Sequence, residues 1–323
     1  YLGSALLKVA DDQTLTLTAS QANGMTVTSS GTGSDNGNIA VTGLGSSNVN
    51  LSGLTSANGS VAATVTASAT LHASTNLGTA TVTVADGQTL TLTAAQADGV
   101  TIGSSGGGTN DGSVSITGAA AATAYDFSGI SSTSGSVNVT IATGGTLDGT
   151  TNLNGASVTV ADGQTLTLTA AQADGVTISA SGTGNIVITG LDGAAGYDLS
   201  GVSSTSGTIT ATLAASATLD GGTDLGTTVV TVADSQTLTL SAAQAAGLTI
   251  QSSGGGSNDG SVVITGLDGA AGYDLSGVSS TSGTITATLA ASATLDGGTD
   301  LGTTVVTVAD SQTLTLSAAQ RLV

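Results

Sequence analysis

The stretch Ser157-Val158-Thr159-Val160-Ala161-Asp162-Gly163-Gln164-Thr165-Leu166-Thr167-Leu168-Thr169-Ala170-Ala171-Gln172-Ala173-Asp174-Gly175 decides the fold. Its two apolar runs alternate with Ser or Thr at a period of two, the pattern of a β-strand with one buried face. Leu and Val face inward and Thr faces outward, and β-branched residues suit such a pleated surface. Asp162-Gly163 joins the runs as a turn, where Gly supplies positive φ and Asp bonds its own backbone. Thr169 then serves as the N-cap of about one helical turn over Ala170 to Asp174, and Gly175 is the residue expected just past its end.

Around this stretch, further strands are predicted at Val176 to Ser179, Asn185 to Thr189, Tyr197 to Val202, Thr208 to Leu213 and Ala217 to Leu219. The whole pattern is then copied. Segments beginning at Val9, Val84, Val160, Val232 and Val308 repeat the motif at nearly constant spacing, with only the interval from Val160 to Val232 visibly shorter than the others. The segment Gly190 to Gln244 recurs unchanged from Gly266 to Gln320. A period held so closely means one structural unit copied end to end. The units run 1–75, 76–151, 152–223 and 224–299, with a truncated fifth unit at 300–323. The short interval comes from one loop, in which the glycine-rich stretches 106–112 and 254–260 shrink to Gly182-Thr183-Gly184; insertions collect at such turns.

Seven strands per unit fit either a tandem row of β-sandwiches or an all-β, parallel β-solenoid. The absence of Trp and Pro, with one Phe and four Tyr, favours the solenoid. A separate sandwich of about 75 residues needs large aromatics to fill its core. In a solenoid each coil is sealed by the next, and ladders of Val, Ile, Leu and Ala suffice. No segment sustains a 3.6-residue apolar period, so no helix longer than about two turns is expected.

The charge inventory excludes several functions. All 21 acidic residues are Asp, the only basic residues are Lys8 and Arg321, and the net charge is −19. Neither nucleic acid nor an anionic lipid surface can be gripped without clustered Lys and Arg. No run has the length of a membrane span. Charged residues are nonetheless only 7% of the chain, which separates it from disordered acidic proteins and predicts a folded body. No Cys is present, so no disulfide or thiolate metal site can form.

Clustered carboxylates raise the question of calcium, for which Asp192, Asp220 and Asp224, with their copies Asp268, Asp296 and Asp300, are the candidate ligands. Eleven of the 21 Asp directly precede Gly, which turns alone require. Gly221-Gly222-Thr223-Asp224-Leu225 lacks the third Gly of the calcium-binding nonapeptide, and the chain has no Glu for an EF-hand. Across units Tyr197-Asp198-Leu199 becomes Val49-Asn50-Leu51 and Asp220 becomes His72, so no fixed oxygen set repeats. No cofactor is therefore required. Paired Asp such as Asp220 and Asp224 recur from unit to unit, as at Asp296 and Asp300, whereas an active site is singular, and no enzyme is expected. Outward Thr at Thr89 to Thr93, Thr165 to Thr169 and Thr208 to Thr212 suggests an ice-ordering face, interrupted by Ile186 to Thr189 and Tyr197 to Val202.

The motif at 81–100, with Asn185-Ile186-Val187-Ile188-Thr189-Gly190-Leu191, resembles the repeats of very long bacterial cell-surface proteins: surface-layer proteins, large adhesins and extracellular filaments. That resemblance implies export to the bacterial cell surface, and many such proteins bind calcium. The expectation is an extracellular structural array, a stalk, surface lattice or filament segment, associating head to tail because Tyr1-Leu2-Gly3 and Asp300-Leu301-Gly302 share one phase. A binding module directed at carbohydrate, ice or another cell is the alternative.

Overall fold

An alternating strand leaves backbone donors and acceptors open along both edges, and a neighbouring strand in matching register satisfies them. The computed structural model describes residues 6–29, 36–105, 108–253, 258–269 and 272–317. The loop residues 106–107 and 254–257, Tyr1-Leu2-Gly3 and Arg321 lie outside the described residues. Every described strand pairing is parallel, and the chain is a β-solenoid of about 14 turns. Parallel pairing throughout excludes tandem sandwiches, which are built from antiparallel sheets. By contacts the chain divides into two units, Tyr1–Thr159 and Val160–Val323.

In the first unit, Thr14–Thr18 pairs with Asn38–Thr42, then Val61–Val65, Thr81–Val84 and Ile102–Ser104. In the second, Thr165–Thr169 pairs with Asn185–Thr189, then Ile209–Leu213, Val229–Val232, Ile250–Ser252 and Val278–Ser279. The coils are unequal: a short one advances from Ala62 to Thr81, and a longer one from Ile102 to Ile130. The sequence period, as from Val84 to Val160, spans several such advances and is therefore not one coil.

A further short strand in each copy explains the arithmetic. Most coils carry two strands and a corner, but the second unit adds Ala217–Thr218 and Ala293–Thr294. These pair with Thr237–Ser241 and Leu314–Thr315, founding a new sheet each time. The copied Thr-Leu-Thr-Leu strand consequently lies one sheet further on with every copy. The first unit does the same, with Ala69–Thr70 opening the sheet that receives Thr89–Thr93.

Alternation points one residue in two into the interior, where identical registers stack them. The ladder Leu168–Ile188–Ala211–Val230–Ile250–Val278 runs through the second unit. No member is more than 1% exposed. Its counterpart in the first unit is Leu17–Val41–Ala63–Val82–Ile102–Ile130. The single Phe127 stacks on Tyr125 with centroids 5.5 Å apart. Aliphatic ladders, not aromatic clusters, fill this core.

The helical corner forms as the sequence predicts, at Ala19–Ala22, Ala94–Ala97, Ala170–Ala173 and Ala242–Ala245, each a single short turn. Every one has a capping box. Thr169 Oγ1 accepts from Gln172 N at 3.2 Å, and Gln172 Oε1 accepts from Thr169 N at 2.9 Å, so two orphan donors of the helix start are satisfied reciprocally. Gly175 follows at φ +65°, a conformation that suits Gly at a helix end. The glutamine also reaches the preceding coil: Gln244 Nε2 donates to the carbonyls of Asp220 at 2.7 Å and Thr223 at 3.2 Å.

One predicted strand is corrected. Tyr197 to Val202 is extended only from Val202, in Val202–Ser204. Asp198 Oδ1 accepts from Ser200 N at 3.0 Å and Ser200 Oγ at 2.6 Å, and this local turn competes with the ladder.

Candidate functional site

The side chains that recur from coil to coil are Asp and Asn residues at a corner, with Ala246 in their place after the fourth helix. In the first unit Asn50 bridges to Asn76, and Asp126 to Asn152. In the second, Asp198 bridges to Asp224, and Asp274 to Asp300. Each forms an Asx-turn, its Oδ1 accepting the N–H two residues on: Ser52 for Asn50, Ser128 for Asp126, Gly226 for Asp224 and Gly302 for Asp300, all between 2.9 and 3.0 Å. Coils are linked as well, since Asp98 Oδ1 accepts from Asp126 N and Asp174 Oδ1 from Asp198 N, both at 2.8 Å. Asn replaces Asp freely in this row because the backbone requires an acceptor and not a charge.

The other predicted ligands are engaged in the same way. Asp192 Oδ1 accepts from Ala194 N at 2.9 Å and from the Tyr197 hydroxyl at 2.8 Å. The Tyr273 hydroxyl donates to Asp268 at 2.8 Å. Asp220 and Asp296 each accept from the Gly two residues on, Gly222 and Gly298, at 2.8 Å. Where His72 replaces Asp220, its Nδ1 accepts from Ser74 N at 3.2 Å, and its carbonyl accepts from Gln96 Nε2 at 2.9 Å. An imidazole nitrogen thus performs the same turn contact as a carboxylate oxygen. The Asp192–Tyr197 loop does meet the Asp220 turn of the next coil: a Cβ on Gly196 would stand 2.9 Å from Asp220 Oδ1. Asp224 belongs to the separate corner row. Among the described residues no three of His, Cys, Asp or Glu converge in a metal-holding group.

The turn contacts set the electrostatics. The Ser200 hydroxyl, then its backbone N–H, holds the Asp198 carboxyl below its ordinary value of 3.8. Asp274 is lowered by Ser276, Asp126 by Ser128 and Asp148 by Thr150 in the same manner. Asp162 is lowered first by the Thr183 N–H, and Asp192 first by the Ala194 N–H and then by the Tyr197 hydroxyl. Asp192 and Asp268 in turn raise the phenols of Tyr197 and Tyr273 above 10.0.

These directions fix the pH response. A carboxyl lowered in the folded state binds a proton later than its unfolded counterpart, so its contribution is full above the unfolded value and is lost as pH falls through the folded value. A raised phenol contributes below its unfolded value and loses that contribution as pH rises through its folded value. Melting temperature is therefore expected to be flat between about pH 5 and pH 9 and to fall on either side. Ser200→Ala with Ser276→Ala should shrink the acid limb. A melting temperature that rises steadily into acid would mean that relief of the large net negative charge outweighs the turns.

Among the described residues, two carboxylates differ from the rest. Asp111 and Asp259, which the sequence places in ordinary Asn-Asp-Gly turns, are 2% and 4% exposed. One clue is internal, because the residue after each is Gly where a Cβ would strike the previous coil: 2.5 Å from Val84 O for Gly112 and 2.7 Å from Val232 O for Gly260. Backbone approach that close draws the preceding side chain inside.

The outward threonines also bond between coils. Thr189 Oγ1 donates to Leu168 O at 3.3 Å, Thr117 Oγ1 to Leu92 O and Thr265 Oγ1 to Leu240 O, both at 3.2 Å. Beside them the outward, half-buried column reads Thr167–Val187–Thr210–Val229, Thr and Val in alternation. Asn185–Thr189 continues the sheet, but its Val187 breaks the row of outward threonines between Thr167 and Thr210, as the sequence predicts. Compared with known protein families, curated proteins and solved structures, the chain matches none.

Proposed function

We propose that the chain is a structural array, a stalk, surface lattice or filament segment of the bacterial cell surface, and not an enzyme. One observation carries this reading: polar side chains that recur from copy to copy bond to the coil beside them. The corner row, the capping-box glutamine and the outward threonines all act in this way. An enzyme gathers its polar groups at one place; an array distributes them evenly. Self-association follows from the same logic, since one coil-to-coil contact recurs with small variations and a further copy can use it again, heterologously and without closure. No cofactor is needed for this role, and calcium at the corners would screen like charges. Negative-stain electron microscopy with light scattering over a concentration series tests the reading. Rods that lengthen with concentration are expected. A compact monomer at every concentration would overturn it.

The alternating Thr and Val column favours a second reading, an ice- or carbohydrate-binding face. Thermal hysteresis and glycan-array binding test it, and both are expected to be negative because the threonine hydroxyls beside that column are already bonded to the preceding coil.

A further inference from the structure

Asp111 and Asp259 are held in the same way in different copies of the repeat. The Oδ2 of Asp111 accepts from Ser134 N at 3.1 Å, and the Asp111 N–H donates to Ser134 Oγ at 3.1 Å. Asp259 makes the same reciprocal pair with Ser282, at 3.0 and 3.2 Å. The other oxygen, Oδ1, is buried in both and has no hydrogen-bond partner. A buried, unpaired carboxylate oxygen is costly, and its occurrence in both copies calls for an occupant.

The surroundings determine the charge of that occupant. A Cβ built on Gly108 would stand 3.4 Å from Asp86 Oδ2 and 4.0 Å from Asp111 Oδ1, so two carboxylate oxygens flank one point. In the other copy Asp259 lines a cleft of about 340 Å³ with the hydroxyl-bearing Ser235, Thr237 and Ser282. Asp234 stands where Asp86 does, accepting from Ser253 Oγ at 2.6 Å as Asp86 accepts from Ser105. Ser235 N and Gly87 N close the two loops identically, on Asn258 O and Asn110 O at 2.7 Å. Nearly every donor atom is a hard oxygen. No lysine is at hand, because Lys8 lies on the strand paired with Thr28.

We propose that Asp111 and Asp259 each anchor a site for a hard divalent cation of the calcium class, with Asp86 and Asp234 as the second carboxylate. Two carboxylates completed by hydroxyl, carbonyl and water oxygens make a low-charge site of roughly 10⁻⁴ to 10⁻³ M, the range of extracellular calcium modules. The remaining copies supply internal controls. At the matching position the first copy has Asn36, a buried amide that is not left without a partner. The third copy, whose loop is shorter, has Thr183, an exposed residue whose N–H and Oγ1 both donate to Asp162 Oδ1. Binding should therefore occur at two of the four loops. This inference does not depend on the array reading.

The test is flow dialysis of the whole chain with radioactive calcium at physiological ionic strength, with magnesium as competitor. Screening there suppresses diffuse accumulation on the acidic surface. Two equivalents are expected for the native chain, one each for Asp111→Asn and Asp259→Asn, and none for the double variant, with magnesium competing weakly. Asn36 shows that the fold accommodates an amide at this position, and circular dichroism checks it. Asp86→Asn with Asp234→Asn, at surface positions, should lower uptake at equal calcium without touching the buried groups. Equal uptake by the native chain and the Asp111→Asn, Asp259→Asn variant, or no stoichiometric uptake by the native chain, would overturn the proposal and leave water as the partner of both oxygens.

Discussion

Ile188→Asp is expected to unfold the coils around it, whereas Val187→Asp, one residue away, should leave stability within about 0.5 kcal/mol of the native chain. Ile188 is wholly buried between Leu168 and Ala211 in the second unit's ladder. Truncating it to Ala costs about 2 to 5 kcal/mol in lost transfer energy and cavity. Aspartate adds an unpaired charge in an aliphatic stack, at a further cost of several kcal/mol, against a total that is only about 5 to 15 kcal/mol for an ordinary domain. Val187 is outward and half-buried, between Thr167 and Thr210, and a charge there can reach water. Because each coil leans only on its neighbours, damage should spread locally before the whole chain melts. Hydrogen exchange is the appropriate readout. Amides of Thr165–Thr169 and Ile209–Leu213 should lose protection in Ile188→Asp and keep it in Val187→Asp. Equal protection in the two variants would mean that the inward ladder is not what holds the sheet.

What could be read from the sequence depended on how local its cause was. The strand Thr165–Thr169, the cap at Thr169 and the positive φ of Gly175 are each set by residues within one turn of chain, and their sequence signals were sufficient. The choice of solenoid over sandwich rested on composition, and parallel pairing bears it out. Coil length was not legible, because the copied unit and the stacked unit differ. Nothing in Ala217-Thr218 announces that it founds a sheet; it does so because Thr237–Ser241 arrives above it. The Asp side chains divided along the same line. Asp-Gly correctly signalled turns at Asp192 and Asp220, whose N–H donors lie two residues on. The Asn-Asp-Gly of Asp111 and Asp259 looked the same but lies inside, because burial there is imposed by Val84 and Val232 of the previous coil. Contacts with the previous coil are spread over a full coil of sequence and leave no short motif.

Removing Leu191 to Gly266, one whole copy, should yield a folded chain that melts within about 2 to 4 °C of the native one, the shift that roughly 1 kcal/mol produces in a large domain. The junction joins Gly190 to Leu267, and because Gly190–Gln244 and Gly266–Gln320 are identical, every residue after the cut meets its native sequence neighbours. The sheet succession also stays in phase. A whole copy includes its extra strand, Ala217–Thr218, so Ala293–Thr294 opens the next sheet in its place. Deleting Val187 alone should be far more damaging. A one-residue slip exchanges the faces of a strand, turning Ile188 to water and Thr189 into the ladder against Leu168. Glycine-rich turns can absorb length, but Asn185–Thr189 is fixed by pairs on both sides, with Thr165–Thr169 and Ile209–Leu213. Thermal melts followed by circular dichroism decide between the two changes. If the whole-copy deletion unfolded the chain while loss of Val187 was tolerated, stability would reside in contacts beyond neighbouring coils, and the ladder account would fail. The opposite result places the structural information in register, where a missing residue matters more than a missing repeat.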